Sequence, residues 1–134
     1  MGADTLLTDT DALIKSGHVI KIIKCKDGSL AGAAGDSWAC MEFLTWAEAG
    51  RKRRPKKRIF KHMVGLVLTK KGKMLLYEAP LPDTIVDDFY AIGCAEGIAR
   101  GRRVGGGSVL ECVEAAIHVS LACGGDPMIL ELDK

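Results

Sequence analysis

Apolar residues recur along this 134-residue chain with two spacings, and the switches between them divide it into strands and helices. The run His18-Val-Ile-Lys-Ile-Ile-Lys-Cys25 is β-branched and apolar and predicts a strand. Lys26-Asp-Gly-Ser29 is a tight-turn signal, from which the small-residue strand Leu30-Ala-Gly-Ala-Ala-Gly35 returns. The period then changes. Cys40, Phe43, Leu44 and Ala47 fall at i, i+3, i+4 and i+7, which predicts a helix with Asp36 and Ser37 supplying its N-cap. Met63–Thr69 and Lys73–Tyr77 predict a second hairpin, Pro80 and Pro82 an irregular connection, and Phe89–Gly93 a short strand. Glu96–Arg103 predicts a helix stopped by Gly105-Gly-Gly107. Ser108 with Glu111 forms a capping box for the next helix, whose inward face is Val109, Cys112, Val113 and Ala116. Met128–Leu132 predicts a terminal strand. Hairpins interrupted by helices imply antiparallel sheets with helices stacked on them, an α+β layered domain over residues 1–134.

Composition adds limits. Apolar residues make up 48% of the chain and charged residues 27%, an ordinary balance for a globule with its own core. No apolar run reaches the length of a membrane span and no signal peptide opens the chain, so the expectation is a cytoplasmic protein. Five cysteines without a CxxC pair read as reduced thiols, four of them in apolar segments. His18, His62 and His118 are scattered, which predicts no metal site. The sequence has neither a Rossmann fingerprint nor a Walker A motif, and no cofactor is expected.

The net charge of +2 hides an uneven distribution. Seven of the eight residues from Arg51 to Arg58 are Lys or Arg, and with Lys61 the segment takes 8 of the 19 basic residues. The remainder carries 11 basic and 17 acidic residues, a net charge of −6. Within the basic loop 51–61, the run Arg51–Arg58 has no interleaved aromatic side chain and Pro55 breaks any helical recognition face. It therefore reads as a solvated loop, or one that meets an acidic neighbouring subunit, rather than as a nucleic-acid surface.

Lys21 stands apart chemically. A cation amid Val19, Ile20, Ile22 and Ile23 predicts burial between layers, where it is costly unless paired. Asp4, in a small-then-apolar run, is a candidate partner, and the pair reads either as a structural ion pair or as part of a site. In the second reading Lys21 activates a nucleophile, Asp4 orients it, and the Gly35 N–H donates to an oxyanion.

Ala3-Asp4-Thr5, Gly17–Ile22 around Lys21, Leu30–Gly35, Tyr90–Gly93 and Cys123-Gly-Gly125 resemble, in order, the motifs of proteasome β-subunits and HslV-type peptidases. They are closest to the short proteasome-like proteins of bacteria and their phages. The resemblance implies the N-terminal-nucleophile hydrolase fold, a four-layer αββα sandwich of two antiparallel sheets, and assembly into rings or related homo-oligomers. It implies Asp4, Lys21 and Gly35 as catalytic positions, and places Cys94 where the family has a serine that assists proton transfer. Ser120 and Cys123 stand at the positions of a supporting Asp and Ser/Thr, and the basic loop replaces a helix of the larger relatives.

The family opens with a strand whose first residue, usually threonine, is both nucleophile and base, and that strand ends about where Met1–Asp4 begins. The first strand is thus expected to be missing, and the chain as written to be inactive. Three functions follow: a threonine-type peptidase subunit, a non-catalytic structural or regulatory pseudo-subunit, and a nucleic-acid-associated module using the basic loop. No partner ATPase is identifiable. Trp38, Met41 and Trp46, off the inward stripe of the first helix, predict that this helix makes the homo-oligomer contact.

Overall fold

The computed structural model describes residues 1–3, 6–8, 15–120 and 122–133. Its largest sheet has five antiparallel strands in chain order: β4 (Ile22–Lys24), β5 (Leu30–Gly35), β6 (Met63–Leu68), β7 (Met74–Tyr77) and β8 (Asp83–Ile85). Two short ribbons accompany it. β1 (Gly2–Ala3) pairs with β9 (Met128–Ile129), and β2 (Leu6–Thr8) with β3 (Lys15–His18). The helices are α1 (Ser37–Glu48), α2 (Glu96–Val104) and α3 (Val109–Val119).

The layers follow from side-chain alternation. In β5, Ala31 and Ala33 face α1, together with Met63, Val67 and Tyr77 from the neighbouring strands. Phe43 of α1 is fully buried against Gly65 of β6, where a Cβ would lie 2.3 Å from the ring. The opposite face meets the first ribbon, since a Cβ on Gly32 would lie 3.2 Å from the Met1 sulfur. Gly2 in turn approaches Val109 and Val113 of α3, which packs beside α2. The result is helix, sheet, ribbon and helix pair, an α+β sandwich. Among the described residues no helix is long and apolar enough to cross a membrane.

Several local expectations hold. The turn after β4 closes with Gly28 at φ +81°, and the capping box of α3 is complete, with Ser108 Oγ accepting from Glu111 N and Glu111 Oε2 accepting from Ser108 N. Others are corrected. The predicted strand His18–Cys25 is broken at residues 19–21, because the chain there leaves its pairing with β2 and begins its pairing with β5. Lys21 consequently sits at intermediate depth ahead of β4, not sandwiched inside a strand, and its carbonyl accepts from Ala33 N at 3.1 Å.

Phe89–Gly93 forms no strand. Arg100 lies 4.8 Å from the Tyr90 ring and Arg103 5.8 Å from the Phe89 ring, so α2 holds this segment through its side chains. The connection after Tyr77 instead contains β8, whose preceding prolines occupy positions outside the ladder at a sheet edge. Trp46 packs against Phe43 and Tyr77 and does not join Trp38 and Met41 on the surface.

The turn before β5 is held by charge as well as by backbone. Asp27 accepts from the buried Ser29 hydroxyl and pairs with Arg51 at 2.6 Å, and these contacts lower its carboxyl pKa from 3.8 to about 2. A carboxylate depressed in the folded state contributes stability above its unfolded pKa and loses it as pH falls toward the folded value. Thermal melts should therefore show this contribution disappearing between about pH 4 and pH 2. Because Asp27 is exposed to screening, its size is on the order of 1 kcal/mol. Asp27→Asn should flatten that part of the profile.

Candidate functional site

A cavity of about 510 Å³ opens between the large sheet and the α2–α3 pair, reaching the first turns of α1. Its walls come from distant parts of the sequence: Lys21, the Gly32–Ser37 end of β5, the segment Ala91–Glu96 and Cys123. The small residues of β5 make this possible. Gly32 and Ala34 project so little that the 91–95 segment lies against the strand, and a Cβ on Gly93 would be 3.3 Å from that of Ala34.

Gly35 is fixed by two constraints at once. Its φ is +133°, and an added Cβ would fall 2.2 Å from the His62 carbonyl oxygen and 2.6 Å from the Met63 Cα. Only a residue without a side chain fits there. Asp36 follows as the N-cap residue of α1 but makes no side-chain cap; its carboxylate lies 3.0 Å from His62 Nδ1. This corrects the predicted capping role. The Asp36 carboxylate thus satisfies none of the unpaired N–H groups of the first turn, next to Ser37 on the cavity wall.

The predicted site residues fall as follows. Lys21, Gly35 and Cys94 all line the cavity. Cys94 is exposed, just ahead of α2. Asp4 and Thr5 lie outside the described residues. Cys123 is buried on the cavity wall, while Ser120 ends α3 and its hydroxyl accepts from Ala122 N at 3.2 Å. Among the described residues, no group of three or more His, Cys, Asp or Glu has the geometry of a metal site.

The helical spacing places Cys40 on the inward stripe of α1; Ala39 is the fully buried residue there, while Cys40, partly buried against the same core, also borders the cavity. Burial, then the Asp36 carboxylate, push its thiol pKa up to about 11, while the Lys21 cation opposes them. Cys40 is therefore a protonated, apolar wall at neutral pH and not a nucleophile. The helical spacing alone did not separate two adjacent small residues, Ala39 and Cys40. The residue with the deeper position is the one that clears the sheet.

Chemically, the cavity offers a cation, backbone donors at the start of a helix, and apolar small-residue walls. Such a site is suited to holding an extended chain and polarising a carbonyl.

No protein-family model matches the sequence, and no curated protein matches it. Solved structures do match the fold. The structure titled Thiobacillus denitrificans BPH in complex with epoxomicin aligns with a TM-score of 0.71 at 17% identity, covering 99% of this chain and 92% of that one. Thiobacillus denitrificans BPH alone gives the same score and identity over 98% and 91%. Eukaryotic HslV from Trypanosoma brucei gives 0.68 at 14% identity over 95% and 88%. The chain has a proteasome β-subunit- and HslV-like fold.

Proposed function

We propose that the chain is a subunit of a proteasome- or HslV-like, threonine-type peptidase assembly, and that the cavity is the part of its site that binds peptide and stabilises charge. One observation carries the reading: Lys21, Gly35 and Cys94, far apart in sequence, face one cavity in a chain of this fold. In this reading Lys21 favours the deprotonated form of a nucleophile. The Gly35 amide donates to the carbonyl oxygen as it gains charge. The Cys94 thiol relays a proton at the rim, and Asp4 orients Lys21. That a structural relative binds epoxomicin supports a peptide-like ligand for the same cavity.

Among the described residues no threonine lines the cavity, and neither Lys21 nor Gly35 forms an acyl-enzyme. The 134-residue polypeptide is accordingly expected to bind short apolar peptides without threonine-type cleavage. Titrating an isotope-labelled sample with epoxomicin should shift the amide signals of Gly35 and Gly93 with no gain of covalent mass. An unmoved Gly35 signal would overturn the binding role, and a covalent adduct at Thr5 or Thr8 would overturn the assignment of residues. Placing a threonine-initiated strand ahead of Met1 then separates the two remaining readings. Cleavage of fluorogenic peptides that Lys21→Ala abolishes identifies a peptidase subunit; binding without cleavage identifies a non-catalytic one.

A further inference from the structure

The cavity does not involve the most charged part of the chain. After α1 the basic loop turns back and runs beside that helix. Arg51 is held at the C-terminal end by Asp27, Lys56 and Arg58 pair with Glu42 in the middle, and His62 meets Asp36 at the N-terminal end. The loop thus follows the whole 12-residue helix, about 18 Å at 1.5 Å per residue. Asp27 and Glu42 offset two of its eight positive charges. Lys52, Arg53, Arg54, Lys57 and Lys61 are exposed and make no ion pair among the described residues.

The one aromatic within the stripe, Phe60, packs against the α1 core, but α1 supplies an exposed one. Trp38, 46% exposed, stands at the far end of the stripe with the Arg58 guanidinium 5.7 Å from its ring and His62 beside it. A linear row of cations ending at an exposed indole is what a flexible polyanion with stackable rings requires. A protein partner is less well matched. Stable protein interfaces have an apolar core, whereas nucleic-acid interfaces are polar and strongly positive. Pro55 and the short 3₁₀ turn Lys57–Lys61 leave no α-helix of the length used to read a duplex groove.

We propose that the stripe Lys52–Lys61, with Trp38 at its end, binds single-stranded nucleic acid without sequence preference, independently of the cavity. Fluorescence anisotropy with a labelled oligothymidine and a mixed-sequence single strand tests it. Five phosphate contacts give a log–log salt slope of about −3.5, or roughly 100-fold weaker binding at 200 mM than at 50 mM salt. Arg53→Gln/Arg54→Gln/Lys57→Gln should reduce the slope to about −1.4 without changing the thermal melt, since these side chains are exposed. Trp38→Ala should weaken binding several-fold and leave the slope unchanged. Three results would overturn the proposal: an unaltered slope in the triple variant, tighter binding of a duplex than of the single strand, or binding of polyglutamate as tight as that of the oligonucleotide.

Discussion

Replacing Gly35 with alanine should destabilise the protein by roughly 3–4 kcal/mol, because two penalties coincide. A non-glycine residue in so sparsely populated a backbone region costs on the order of 1–3 kcal/mol. Here the new Cβ would also lie 2.2 Å from a backbone oxygen that is held in the β5–β6 ladder region and cannot rotate away. Gly72→Ala provides the control. Gly72 also has a positive φ, +81°, but nothing lies within 4 Å of its Cβ position, so only the conformational penalty of roughly 1 kcal/mol remains. Thermal or urea melts of the two variants check the difference. Equal losses would mean that the backbone conformation alone makes Gly35 necessary.

Phe43→Ala should lose about 3–5 kcal/mol, the range for emptying a buried aromatic position. Phe43 is fully buried and its ring meets Trp46, Tyr77 and Phe60 at centroid distances of 5.3, 5.5 and 6.3 Å. The ring occupies the space that Gly65 leaves, so Gly65→Ala should also destabilise, by overpacking, at about 1–3 kcal/mol. The two sites share one volume and should not be additive. In Phe43→Leu/Gly65→Ala the smaller side chain makes room for the methyl, and the double variant should be less damaged than the sum of its singles by about 1 kcal/mol. Strict additivity in a denaturant series would show that the strand shifts to accommodate each change separately.

These two glycines show which parts of the structure were legible in the sequence. The small-residue strand Leu30–Gly35 announced a close approach, and the approach is there, from the His62–Met63 backbone on one side and the 91–95 segment on the other. Local chemistry was equally readable where it is self-contained: the Ser108–Glu111 box and the Lys26–Ser29 turn depend on residues three or four apart. What failed depended on partners distant in sequence. Nothing within His18–Cys25 says that its two halves pair with different strands. Phe89–Gly93 has strand-like residues, but among the described residues no strand pairs with it, and arginines of α2 hold it instead. Asp36 carries every mark of a cap until His62, 26 positions later, arrives beside it.

The same dependence on distant partners shaped the reading of function. Lys21 and Gly35 stand out by their own chemistry and Cys94 by resemblance; the fold brings all three to one cavity, but no periodicity in the chain links them. Periodicity places Cys40 on the inward stripe, and there it is partly buried, between the core and the cavity. Trp38 was singled out as an exposed indole, and its neighbour Arg58 connects it to the basic loop that the sequence had set apart.

The ribbon of β1 and β9 has a consequence for how the molecule assembles itself in time. Gly2 pairs with Ile129, and the Met1 nitrogen donates to the Leu130 carbonyl across 129 positions of chain. Closing a loop of that length costs roughly 4 kcal/mol in chain entropy, whereas two residues of ladder return little. The five-stranded sheet, built from consecutive hairpins with α1 returning onto its own neighbours, carries no such cost. It should condense first and act as the template. The ribbon and the α2–α3 pair that rests on it then dock together in a later step. In the native protein they should be the unit that opens before the sheet does, releasing one wall of the cavity while the Phe43 core stays closed.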